Sequence, residues 1–188
     1  MTIPAYAQHL RYGSRAGQLN PHFLDAKLFS EMVLAPYQET QFHPHTGPFL
    51  FEFQRHGMPA EEFCRRLDTF FSQLPTDFRY AVEIRNAGLL GPTYRDVLAR
   101  HGVAHVYNHW SSMPPLAEQH QKMETFTAPF VVCRLLTPLN MSYEAAKARA
   151  KPYDKLVEEL PEMRQDTVSL VKQAIAEKRQ AYVIVNNR

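Results

Sequence analysis

The chain is poor in the features that announce a particular chemistry. Its 188 residues include two cysteines, Cys64 in a helical and Cys133 in a strand-like context. Two lone thiols supply neither a zinc spacing nor a redox pair, so they read as reduced, buried thiols of a cytoplasmic protein. No G-x-G-x-x-G and no G-x-x-x-x-G-K-[ST] follows any strand-like segment, which removes support for a dinucleotide or P-loop fold. No apolar stretch approaches membrane-spanning length, and Met1-Thr2-Ile3-Pro4-Ala5-Tyr6 lacks the basic start and apolar run of a signal peptide. Blocks of like charge are also missing: the formal charge of +2 arises from interspersed acids and bases, so nothing demands a nucleic acid or an anionic membrane as partner.

What is present is one repeated sentence, an amphipathic helix followed by a short apolar strand. Residues 1–20 have no sustained period and read as loop. Asn20-Pro21 offers an N-cap with proline at the first helical position, and Leu24, Leu28, Phe29, Met32 and Val33 form a stripe, predicting a helix over about 22–40 bent at Pro36. After His43-Pro44-His45-Thr46-Gly47 comes a strand over about 48–54. Pro59, Glu61 and Glu62 open a helix with the apolar face Phe63, Leu67, Phe70, Phe71 and Leu74, and Pro75 stops it before a strand over 79–85. Pro92 opens a short helix with Tyr94, Val97 and Leu98, closed by His101-Gly102 ahead of a strand over 103–108. A poorly patterned stretch after Met113-Pro114-Pro115 leads to a strand over 129–135, then helices over Ser142–Ala150 and Met163–Ala176, and a last strand over 181–186. Such alternation implies parallel strands with helical crossovers, in an open doubly wound sheet or a barrel.

Several blocks in register, Gly47-Pro48-Phe49-Leu50-Phe51-Glu52-Phe53, Tyr80-Ala81-Val82-Glu83-Ile84-Arg85-Asn86, His101-Gly102-Val103-Ala104, Trp110 with Met113-Pro114-Pro115, and Tyr182-Val183-Ile184-Val185-Asn186-Asn187, resemble the YecE-like family, the domain of unknown function 72, over roughly residues 20–188. The resemblance implies a TIM-barrel fold with no firmly established activity. It further implies that residues 1–188 form a single, incomplete domain, a fragment corresponding to barrel strands four to eight without the first three strand-helix units and the last helix. Five strands cannot close such a barrel, which leaves the fourth and eighth with unpaired edges and predicts self-association through them. The chain departs from the family pattern at Glu52 and Gln54, where glutamine and proline are expected, and at Asn108-His109, where the sixth strand often ends in aspartate.

Period-two alternation assigns the faces. Phe49, Phe51 and Phe53 share the helix-facing side, so Leu50, Glu52 and Gln54 point to the interior, joined by Ala81, Glu83, Arg85 and Arg134. These polar groups would converge near the C-terminal ends of the strands, where TIM-barrel enzymes build their sites. One reading is a self-satisfied Glu–Arg network plugging the interior. The other is a site in which Arg85 and Arg134 clamp a small carboxylate or phosphate while Glu83 acts as general acid or base with Glu52 as its partner. Ligand contacts are further expected from Asn86, His109, Trp110 as a stacking wall, Asn186 and Asn187. No cofactor is predicted; a divalent cation held by the two carboxylates with Asn186 or His109 has only scattered ligands behind it. The His101, His105, His109 repeat is not a zinc spacing, since His101 ends a helix and His105 lies mid-strand. Lys147, Arg149 and Lys151 with Tyr143 and Tyr153 suit phosphate but read more simply as a solvated face. Whether the chain is an enzyme stays open here; a non-catalytic module holding a nucleic-acid backbone and an inactive truncated product are the alternatives.

Overall fold

The computed structural model describes residues 1–6 and 10–186. Five strands, β1 (Phe49–Phe53), β2 (Tyr80–Ile84), β3 (Ala104–His109), β4 (Phe130–Leu135) and β5 (Gln180–Val185), form one parallel sheet in the order β1-β2-β3-β4-β5. Parallel neighbours cannot be joined by tight turns, and helices make the crossovers: α2 (Ala60–Phe71), α3 (Pro92–Arg100), α4 (Leu116–Met123), and, between β4 and β5, α5 (Tyr143–Ala150) and α6 (Pro161–Ala176). A short α1 (Ala26–Phe29) precedes β1. The architecture is therefore α/β, with five strands and six α-helices among the described residues. β1 and β5 each pair on one side only among the described strands.

The helix-facing side of β1 carries the densest part of the core. Phe29 meets Phe49 and Phe51 with ring centroids 5.6 and 5.0 Å apart, and Phe53 meets Phe63 of α2 at 5.0 Å. The fully buried rings among these, Phe29, Phe51, Phe53 and Phe63, each contribute roughly 1.5–3 kcal/mol through area removed from water. The opposite face has an apolar lower layer, in which Ala81, Ala104, Val106, Ala128, Phe130 and Val132 pack with Leu50 and Tyr182. Polar groups begin one residue pair further toward the C-terminal strand ends.

That inner face is concave. Arg134 of β4 contacts Glu52 of β1, three strands away, whereas on a flat sheet those strands would lie about 14 Å apart with side chains standing parallel. At the other end of the strands Arg79, just ahead of β2, donates to Gln180 of β5 at 2.7 Å and to the Tyr182 hydroxyl, which requires the same curl.

Three sequence expectations are corrected. The first helix starts at Ala26, where Asp25 caps it by accepting the Leu28 N–H at 2.9 Å; Leu24, with φ of 53°, breaks any helix from Pro21. Asn20 instead folds over the N-terminal segment, accepting from the His22 N–H and the Tyr6 hydroxyl and donating to the Ile3 carbonyl. After Phe29 the helix widens to a π-turn over Ser30–Leu34 and tightens to a 3-10 turn over Ala35–Gln38 around Pro36. The stretch after Pro115 is helical after all. Its pattern was hidden because a buried position is polar: Leu116 and Met123 face inward together with Gln119.

Candidate functional site

The polar set sits where period-two alternation puts it, at the C-terminal ends of β1, β2 and β4. Glu52 and Glu83 are register partners across β1 and β2. Arg85 follows β2 directly, and Arg134 is the register partner of Asn108 across β3 and β4. Arg85 Nη2 lies 2.7 Å from Glu83 Oε1 and 3.2 Å from Glu52 Oε2. Arg134 Nη1 donates to the same Glu52 Oε2 at 3.1 Å and also to Glu83 Oε2. Gln54 donates its amide to the other Glu52 oxygen, Oε1. Two guanidiniums from different strands therefore meet on a single carboxylate oxygen.

The four charged groups are not equally enclosed. Side-chain exposure is 0% for Glu83 and 5% for Arg85, against 33% for Glu52 and 23% for Arg134. Glu83 and Arg85 form the floor, and Glu52 and Arg134 the solvent-facing rim. Burial raises the carboxyl pKa of Glu83, with Arg85 and Arg134 pulling it back and Glu52 adding to the rise. Burial alone would lower the Arg134 pKa, but Glu83 and Glu52 outweigh it and the guanidinium is held protonated.

The floor is incompletely satisfied. Arg85 Nε and Nη1 are buried without a hydrogen-bond partner, as is Asn108 Oδ1, and Glu83 Oε1 lies close to Arg85 but outside hydrogen-bonding geometry. Buried polar atoms left unpaired cost about 1–3 kcal/mol each, more for charged groups. Trp110 covers the Arg85 guanidinium face, 3.9 Å from carbon to ring centroid, and Ser112 donates to the Arg85 carbonyl at 2.8 Å. The loop after β3 thus pins Arg85 from above, with a cation–π contact that is strongest for a desolvated cation.

Other expected site residues are placed apart from this cluster. Asn86 caps the 3-10 turn Ala87–Leu89, accepting from the Gly88 N–H, and donates to the His56 carbonyl at 3.4 Å. His109 is buried, its Nδ1 2.8 Å from the Thr137 carbonyl oxygen, and burial lowers its pKa. Asn186 ends β5 with its N–H donated to the Leu135 carbonyl at 2.9 Å. Asn187 lies outside the described residues. Arg149 of α5 is paired with Glu158 at 2.7 Å. Among the described residues no group of three or more His, Cys, Asp or Glu side chains is arranged to hold a metal ion. Cys64 and Cys133 are buried free thiols, their pKa values pushed up by burial to about 11 and about 12.

Asn108 is the inward residue that sequence reasoning passed over. The parity that placed Glu83 and Arg134 puts Ala104, Val106 and Asn108 on the same inner face, so the signal was available. Its Nδ2 donates to the Ile84 carbonyl at 2.9 Å, which turns Oδ1 to the unpaired side. An apolar cleft of about 630 Å³ lies between the β4 and β5 ends and residues 136–164; it includes Asn186 but none of the four charged residues of the cluster.

The comparisons with known proteins agree with one another. A family model described as "Protein of unknown function DUF72" matches residues 14–188. A DUF72 family protein from Thermotoga maritima is similar in structure, with a TM-score of 0.57 and 21% identity over 87% of this chain and 58% of that one. One from Enterococcus faecalis is similar at a TM-score of 0.57 and 18% identity over 88% of this chain and 61% of that one; a second structure from that organism gives 0.60 and 20%, over 86% and 58%. The chain thus spans about three-fifths of the length of these solved relatives. No curated protein matches it significantly. No described helix is long and apolar enough to cross a membrane. With five parallel strands in order and a family model covering nearly all of its length, the chain belongs to the DUF72 family.

Proposed function

We propose that this sheet is part of a (β/α) barrel and that the C-terminal ends of its strands bind a small anionic ligand, a carboxylate or a phosphate, through Arg85 and Arg134. The observation that carries the proposal is the convergence of the two guanidiniums, from β2 and β4, on one carboxylate oxygen. Planar guanidiniums recognise carboxylate and phosphate oxygens better than any other side chain. The barrel is supported by the sequential parallel order, the concave inner face and the layered interior. In parallel α/β folds generally, ligands bind beyond the carboxyl ends of the strands.

Glu83 is the candidate general acid or base. A wholly buried carboxyl with a raised pKa can hold a proton at a pH where an exposed glutamate would have lost it. Asn108 Oδ1 is an acceptor that a ligand hydroxyl or amide would satisfy, and Trp110 covers the face of the Arg85 guanidinium. Asn186 and His109 bond to the Leu135 and Thr137 carbonyls and so serve the strand-end loops on which any second ligand group would rest.

The test is a titration of the wild-type chain with millimolar inorganic phosphate and, separately, propionate, followed through the arginine side-chain and Trp110 indole signals in nitrogen-edited NMR. Saturable shifts of those signals that vanish in Arg134→Met are expected. If neither anion shifts them, the anion site is wrong. Once a turned-over substrate is in hand, Glu83→Gln should remove turnover and leave binding; full activity in that variant would remove Glu83 from the chemistry.

A further inference from the structure

The exposed carboxylate of the cluster stands where a ligand would. Resting on the anion-site reading above, we infer that Glu52 is a built-in occupant of that site, a tethered carboxylate that a monoanionic carboxylate ligand displaces. Two features of the structure single it out from Glu83. Glu52 Oε2 is the one oxygen that contacts both guanidiniums, at 3.2 Å from Arg85 Nη2 and 3.1 Å from Arg134 Nη1. Its side chain is one-third exposed, whereas Glu83 is sealed beneath it.

The receiving groups stay in place during the exchange. Arg85 is held from above by Trp110 and from below by Glu83, and its Nε and Nη1 still lack acceptors. A ligand carboxylate entering in place of Glu52 meets a guanidinium that is already desolvated and oriented, which lowers the cost of binding. The charge balance selects the ligand class. With both carboxylates ionised, Glu52, Glu83, Arg85 and Arg134 sum to zero, and replacing the Glu52 carboxylate by one monoanion keeps that sum, while a dianion would leave an uncompensated charge beside a buried one. Gln54, whose amide is donated to Glu52 Oε1, then turns to the incoming carboxylate or follows Glu52 outward.

A tethered competitor acts at an effective concentration in the millimolar range or above, so it weakens binding of a free carboxylate of the same kind without forming any new contact. Propionate, the excised Glu52 side chain, is the probe. Glu52→Ala is expected to bind propionate at least about tenfold more tightly than wild type by calorimetry. In the wild type, saturating propionate should move the Glu52 carboxyl carbon signal toward that of a solvated glutamate. That second measurement separates displacement from the mere loss of a negative charge, and it uses the unaltered fold. Equal affinities for Glu52→Ala and wild type, or an unmoved Glu52 signal while the arginine signals saturate, would overturn the displacement and leave the anion site standing. No binding of propionate or phosphate by either protein would overturn both.

Discussion

Two buried polar networks flank β3, and they are built to opposite rules. On the outer face, His105 Nδ1 accepts from the Tyr94 hydroxyl at 3.2 Å and its Nε2 faces Gln119 Oε1 at 3.3 Å. Gln119 donates to the Asn108 and Pro114 carbonyls at 2.7 and 2.8 Å and accepts the Asn108 N–H, while Thr127 accepts the His105 N–H and donates to the Val103 carbonyl. Every one of these side-chain atoms has a partner, and every group is neutral. On the inner face the groups are charged, two of the four reach solvent, and Arg85 and Asn108 keep unpaired atoms. The outer network is closed and holds the fold; the inner one has unspent hydrogen-bonding capacity, which is what a ligand needs.

The largest expected effect comes from breaking the inner network on one side only. Arg85→Leu leaves Glu83 buried with a single guanidinium and should cost about 3–5 kcal/mol in urea unfolding. Arg85→Leu combined with Glu83→Leu should recover much of that loss, because no buried charge is then left alone. An equally unstable double variant would mean that the pair contributes packing that leucines do not replace.

Acid separates the two networks next. Burial lowers the His105 pKa to about 4 in the folded chain, against about 6.5 in the unfolded one. The depressed value means that the stability His105 contributes is complete above about pH 6.5 and is lost as pH falls toward 4, by on the order of 3 kcal/mol. Glu83 has the opposite sign: its raised pKa contributes stability below the ordinary glutamate range and loses it as pH rises through the folded value. Stability measured by denaturant against pH should therefore fall on the acid side in the wild type and fall less in His105→Gln. An unchanged acid slope in that variant would reassign the loss to His56, His109 and His120, whose pKa values burial also lowers.

The smallest of these effects tests closure itself. Gln119→Leu strands the His105 ring and the end of β3, and a loss of about 1–3 kcal/mol is expected. It should also loosen Asn108 and thereby change propionate affinity, although Gln119 touches none of the four charged groups. Unaltered affinity would show that the two networks are independent.

How much of this was legible in the chain depends on whether alternation was clean. Three phenylalanines in Phe49–Phe53 declare a face, and from them the inward set Glu52, Gln54, Glu83, Arg85 and Arg134 follows by counting in twos. The five strands were readable for the same reason, and α2 and α3 from apolar residues spaced three and four apart. Helix α4 was not, because Gln119 stands at a buried position and its polar identity breaks the apolar stripe. Nor was the start of the first helix, where Asn20 and Asp25 are both good caps and only the tertiary contact of Asn20 with Ile3 and Tyr6 decides between them. The parity that turns Asn108 inward also turns His109, the next residue of β3, to the outer face, whereas the stacking of Trp110 on Arg85 depends on a loop path that no periodicity encodes.

That stacking has an experimental use. Trp110 is the chain's single tryptophan, and its ring lies against the guanidinium at the centre of the cluster. Indole emission responds to the field of a neighbouring charge, and when excited beyond the absorption of the nine tyrosines it comes from this one place. Rearrangement around Arg85 can be followed optically in the unlabelled molecule, on the timescale of stopped-flow mixing.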